Sequence, residues 1–388
     1  MALRSGLVLV GGGARGAYQA GVLRGVGEIV GARFGDRPFF DVITGISAGG
    51  INASFLASHA AQMRAGVEQL DALWRNLRLD DVMKTDVRTF ASLAVRWLRE
   101  LGLGGASPVP RPRTNYLLDT TPLRAFLASH VDCGAISANI ARGVLHGFAV
   151  SATNYRTGTA VTFFDGTPDI AEWVRSARIG RRTRIALEHI LASAAIPILF
   201  RPVEVDGIPY GDGGIRLGTP LSPAIHLGAD RVLAISIRHP RARETTEQLH
   251  AMSGGHTGGV SVADIAGVML NAAFLDGLDS DAERMTRINQ TLALIDEKRR
   301  SEGPALRPLP LLVISPSADL GALAAEQFTR FPRALQYMMK GIGASEAHGS
   351  DLTSYLAFDP AYTRPLLDMG RADALSRREE IEAFFAGG

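Results

Sequence analysis

Ser47 stands at the centre of Gly45-Ile46-Ser47-Ala48-Gly49, between the apolar run Phe39 to Thr44 and a segment with helical spacing that reaches about Ala61. A serine on such a strand-to-helix turn is lifted onto a sharp bend where only small neighbours fit. It is there that ester hydrolases place the oxygen that attacks a carbonyl. The five-residue pattern occurs once in the chain, in which 43 of 388 residues are glycine, so the flanking strand and helix give the match its weight. The N–H groups from Ala48 onward open the following helix and are suited to stabilising an oxyanion.

A second glycine cluster, Gly11-Gly12-Gly13-Ala14-Arg15-Gly16, follows the apolar run Leu7 to Val10 and precedes helical spacing from Gly16 to Val30. Gly11, Gly13 and Gly16 fit G-x-G-x-x-G, so a dinucleotide-binding oxidoreductase is one reading. That reading needs an acid at the end of the next strand. Asp36 and Asp41 both precede the Val42 to Thr44 segment, and the strand's far end is taken by the serine turn. Clustered N–H groups at a helix start serve a developing oxyanion equally well.

The nucleophile needs a proton acceptor, yet none of the nine histidines stands in a convincing setting; His226 and His239 flank the Val232 region without a motif. The chain offers instead Tyr210-Gly211-Asp212-Gly213-Gly214, an acid in a glycine-rich turn. Alone, such a turn is most often structural.

In this order, the Gly11–Gly16, Gly45–Gly49 and Asp212-Gly213-Gly214 motifs resemble the patatin-like phospholipase family. Ala192-Ser193-Ala194-Ala195-Ile196-Pro197 and the segment Pro202 to Gly214 extend the resemblance over roughly residues 5 to 235, and Ser350 to Thr363 looks like the C-terminal part of bacterial members. The resemblance implies a three-layer α/β fold, a central, mainly parallel sheet sandwiched by helices. It also implies a Ser/Asp dyad with no catalytic histidine, Ser47 as nucleophile and Asp212 as general base. By the same resemblance, Gly12, Gly13 and Ala48, helped by Arg15, would hold the oxyanion or a substrate phosphate. A lipid or lysolipid ester would be the substrate, with no cofactor and no metal. Phospholipase A or lysophospholipase activity is implied, and acyl transfer to an alcohol on the same dyad is the alternative.

The elements that must position these residues alternate along the chain. Further strands are expected at Val144 to Ala152, Ala160 to Phe164, Val232 to Ile237 and Leu311 to Ile314, with helical segments between most of them. Asp281 to Arg300 has helical spacing as well, and no internal repeat is evident. A catalytic core over residues 5–235 would be followed by a helical extension, 236–388, packed on the same domain and carrying one further strand at about 311–315. Gly102 to Arg113 and His239 to Gly259 read as loops, and as candidate lids.

With 41 basic and 39 acidic side chains the formal charge is +2, which leaves no footprint of a nucleic-acid binder. Cys133 is the only cysteine, so no intrachain disulfide forms, in keeping with a reducing compartment. The run at Leu7 to Val10 is too short for a secretory signal, and the stretch near Ile190 to Phe200 is interrupted by Pro197. A cytoplasmic protein with, at most, peripheral membrane contact is expected.

Overall fold

The first two strands consist of residues buried on both faces, β1 (Ser5–Leu9) and β2 (Val42–Ile46). Such strands carry continuous apolar sequence in place of alternation, as strands of parallel sheets do. The computed structural model describes residues 3–102, 115–240, 247–248, 251, 259–295, 307–346 and 348–386. The remaining strands are β3 (Gly147–Asn154), β4 (Ala160–Gly166), β5 (Trp173–Arg175), β6 (Arg178–Arg182), β7 (Val203–Val205), β8 (Ile208–Asp212), β9 (Arg231–Ile235) and β10 (Leu311–Ile314).

One mixed sheet runs in the order β10-β9-β1-β2-β3-β4-β6-β5, and β8 joins the far end of β3 with β7 beside it. The five strands from β10 to β3 are parallel, whereas β4 and β8 are antiparallel to β3. The C-terminal ends of β1, β2 and β3 therefore share one edge, where open parallel sheets place their ligand sites.

Helices flank the sheet: α1 (Gly16–Phe34), α2 (Ala48–Ser58), α3 (Met63–Asn76), α4 (Thr121–His130), α5 (Cys133–Ala141), α6 (Leu187–Ser193), α7 (Val262–Phe274), α8 (Ser350–Leu356) and α9 (Pro360–Ser376) among them. One core joins sheet residues such as Leu7, Ile43 and Phe148 to Tyr355 and Tyr362 of the last helices. The Tyr18 hydroxyl on α1 donates to Asp373 on α9 at 2.9 Å.

β10 falls where its apolar run predicts, and β1, β2, β3, β4 and β9 lie within a few residues of expectation. The strands from β5 to β8 are additions. Their sequences are short and interrupted by Arg181, Arg182, Pro209 and Gly211, so no apolar period marks them. A helix spans Asp276–Ala293, near the expected Asp281 to Arg300. The two candidate lid loops lie mostly outside the described residues.

Candidate active site

β2 ends at Ile46 and α2 begins at Ala48, so Ser47 takes the whole change of direction, with φ 56° and ψ −131°. Among the described residues it is one of three non-glycine positions with positive φ. Such backbone is costly and persists only where the surroundings enforce it. Gly49 supplies the necessary space, since a Cβ there would lie 2.4 Å from Leu9 O on β1. The Ser47 N–H donates to Ser193 Oγ at 3.1 Å, and Ser193 Oγ donates to Ser151 O on β3 at 2.7 Å.

Asp212 is the last residue of β8 and sits opposite Ala152 on β3. Its carbonyl accepts from Thr153 Oγ1 at 2.7 Å, its N–H donates to Ala195 O at 2.9 Å, and its Oδ1 accepts from the Gly214 N–H at 2.9 Å. The carboxyl group is fully buried, and Oδ2 has no hydrogen-bond partner. Burial pushes its pKa up to about 7, opposed by the neighbouring Ser47 hydroxyl and the Gly214 N–H. The two side chains are neighbours that have not completed a hydrogen bond, an arrangement frequent in ligand-free sites.

The glycine turn reaches the same place. A Cβ on Gly11 would meet Ser47 Cβ at 2.8 Å, and Gly16 packs on Ala48 and Trp74. Gly13 has φ +58°, and a Cβ there would lie 2.2 Å from Tyr355 O on α8. Phe274, at the end of α7, covers both Gly11 and Gly214. Gly11, Gly13, Gly16, Ala48, Ser47, Asp212 and Gly214 are thus gathered around one spot, although their motifs are spread over two hundred residues.

Arg15 points elsewhere. Only 2% exposed, it donates from Nε to Ser354 Oγ and from Nη2 to Asp351 Oδ1, each at 2.7 Å, and its guanidinium lies 4.8 Å from the Tyr355 ring centre. Those contacts tie the turn to α8. Gly12 has its own packing partner in Ile237, and Gly213 packs against Ser151 O.

An apolar cavity opens beside Ser47, with about 690 Å³ of empty space, its mouth included. Gly13, Ser47 and Ala48 form one part of its wall, and Ile51, Phe55, Trp74 and Phe126 are among the rest. Among the described residues no histidine hydrogen-bonds to Ser47. His189 accepts from the Ala186 N–H, His226 stacks on Trp173, and His146 contacts Thr167. His250 and His256 lie outside the described residues.

Among the described residues, the end of β2, where a dinucleotide would require an acid, holds Ile46 and Ser47 instead. Asp41 lies at the opposite end of the sheet, where its carboxylate accepts from the Ser5 N–H at 2.7 Å, and Asp36 is exposed in the preceding turn. Sequence reasoning left Ser193 without a role and overlooked the cavity wall. One signal was available for the wall: Phe-Leu-Ala-Ser-His occurs twice, at Phe55–His59 and Phe126–His130, once on each of two lining helices. The chain therefore does contain a short internal repeat.

Among the described residues no helix is long and apolar enough to cross a membrane, and no group of three or more His, Cys, Asp and Glu side chains is placed to hold a metal. No curated protein sequence matches the chain. Among solved structures it is similar to VipD from Legionella pneumophila, with 12% identity and a TM-score of 0.30, over 95% of this chain and 67% of that one. Human GIVD cytosolic phospholipase A2 in complex with methyl gamma-linolenyl fluorophosphonate is 14% identical, with a TM-score of 0.44, over 99% of this chain and 59% of that one. The type III effector protein ExoU is 15% identical, with a TM-score of 0.35, over 98% of this chain and 54% of that one. The patatin-like phospholipase family profile matches residues 7–225, more than half of the chain. By that match the chain belongs to the patatin-like phospholipases, a family of lipid hydrolases.

Proposed function

We propose that this protein is a serine lipid acyl hydrolase of the phospholipase A or lysophospholipase type, working through Ser47 and Asp212. The observation that supports this reading best is the wholly buried Asp212 carboxyl, with an unpartnered Oδ2 beside the serine turn. Ser47 Oγ bonds to the acyl carbon while its proton passes to Asp212. As the ester C–O bond breaks, Asp212 returns that proton to the leaving alcohol. Water then repeats the exchange and releases the acid. The N–H groups of Gly12, Gly13 and Ala48 are assigned to the oxyanion. The apolar wall beyond Ser47 suits an acyl chain.

A fluorophosphonate probe is expected to label Ser47 stoichiometrically, as read by peptide mass spectrometry. In folded Ser47→Ala, labelling should vanish and ester turnover should drop about 10⁴-fold or more. Persistent labelling of that variant would place the nucleophile elsewhere.

Arg15 is assigned to holding the turn, because its guanidinium is already taken up by α8. Arg15→Ala is expected to lower turnover by a common factor, about tenfold, on phosphate-bearing and neutral esters, and to cost about 2 kcal/mol of stability. A loss confined to phosphate-bearing esters would return Arg15 to the substrate's head group.

A further inference from the structure

A chain bound at Ser47 runs into a boundary that is also the wall of a second cavity. The apolar cavity is lined along α2 by Ala48, Ile51 and Phe55, and the last residue of that helix, Ser58, with His59 just after it, lines an open groove of about 1360 Å³, open solvent included. On α4 the order is the same, Phe126 and Leu127 in the first cavity, Ala128 and Ser129 in the second. His130 and Val131 line both, so they stand at the boundary between the two.

The repeated Phe-Leu-Ala-Ser-His segment makes this boundary twofold in chemistry. In each copy the phenylalanine lines the apolar cavity alone, and the histidine reaches the groove, His130 bordering both. The rings pair within each segment, Phe55 with His59 at 4.3 Å and Phe126 with His130 at 4.4 Å. Each histidine Nδ1 also lies close to the carbonyl of its own phenylalanine, at 2.9 and 2.7 Å. Ser58 Oγ and Ser129 Oγ lie 3.0 Å from the same two nitrogens, so each ring is held against its own segment. At 1.5 Å per residue, α2 carries the wall about 18 Å from Ser47 to His59. That is the span of a long acyl chain.

We propose that the apolar cavity is the first part of a through-channel for long acyl chains, whose outlet passes between the two Phe-Leu-Ala-Ser-His segments into the groove. This rests on the reading of Ser47 as the acyl-accepting nucleophile. The partition at His130 and Val131 sets where chain length stops mattering. Each methylene added up to the phenylalanines raises affinity about fourfold, the effect of burying one CH₂. Beyond them the wall is mixed polar and apolar and open to solvent, so longer chains gain less and are still accepted. A blind pocket would instead reject them.

Cys133 allows a test in the unmodified protein, because it lines only the groove and is the single cysteine of the chain. It is half-buried, and burial pushes its thiol pKa up, so alkylation by a maleimide is followed at mildly alkaline pH. Palmitate, below its aggregation concentration, is expected to slow Cys133 modification at least threefold, whereas octanoate leaves the rate unchanged. Equal rates with both acids would overturn the proposal, as would a failure of palmitate to bind. Val131→Trp should lower the ratio of palmitate to octanoate affinity at least tenfold by closing the partition. Ala128→Trp, at an exposed position in the groove, should lower it in the same sense without disturbing the core. An unchanged ratio in both variants would also overturn the channel. Hydrolysis of an octanoyl ester is measured alongside. Palmitate protection without turnover on any ester would refute the hydrolase reading and leave the channel standing; turnover without protection would refute the channel alone.

Discussion

Asp212→Asn is expected to abolish ester turnover and, at pH 8, to make the protein more stable. The amide keeps the size of the carboxylate and can still accept from the Gly214 N–H, but it cannot take the proton of Ser47. Acylation should fall to about the level of Ser47→Ala, and the double variant should be hardly worse than either single one, because members of one catalytic unit are strongly non-additive. Glutamine at His146, His189 or His226 should leave substantial turnover. A histidine variant without activity in a folded protein, beside an active Asp212→Asn, would mean a conventional triad.

The stability gain follows from burial. Native Asp212 holds its proton up to about pH 7, whereas an aspartate in the unfolded chain loses it near ~3.9. Between those values the native state binds the extra proton, so this group's contribution to stability falls as pH rises through that window and stays low above it. Three units correspond to about 4 kcal/mol at most. Asparagine does not titrate. Denaturant unfolding should therefore show little difference between the variant and its parent near pH 4 and a widening advantage for the variant up to pH 8. A constant difference at all pH values would mean that the native carboxyl titrates normally. In the parent enzyme kcat/KM should rise with pH through about 7, as the base form is populated.

Gly13→Ala should be nearly as damaging for a different reason. Its φ of +58° disfavours any side chain, and the new Cβ would lie 2.2 Å from the Tyr355 carbonyl oxygen, which belongs to backbone and has no rotamer to yield. Either the turn or α8 must move, and the N–H groups assigned to the oxyanion move with the turn. Turnover is expected to fall about 10²–10³-fold, the scale of losing one oxyanion donor. Gly143 is the control, because it has φ +71° with open space around it. Gly143→Ala should cost about 1 kcal/mol and leave turnover intact. Equal kinetics for the two variants would remove the turn from the reaction.

The parts of the fold that were legible in the sequence are those in which local signals coincide. β1 with its glycine turn, and β2 with Ser47 and α2, each combine an apolar run, small residues and helical spacing within some thirty positions. Asp212 gave no such signal. Pro209 and Gly211 hide its strand, and only the order of three motifs, through a family resemblance, singled it out. The role of Arg15 was legible only in part, because its partners Asp351 and Ser354 are 336 and 339 positions away. Phe274 likewise reaches Gly11 and Gly214 through folding alone. The paired Phe-Leu-Ala-Ser-His segments were visible as letters, but their meaning depends on two helices lining one cavity.

The contact between Arg15 and α8 also sets a schedule for synthesis. Ser47 and Asp212 both leave the ribosome well before Asp351 and Ser354, the residues that brace the glycine turn. At common elongation rates the interval is on the order of ten seconds. During it the nascent chain carries both residues of the proposed dyad but lacks the brace, so its expected turnover is no higher than that of Arg15→Ala until the last helices are made.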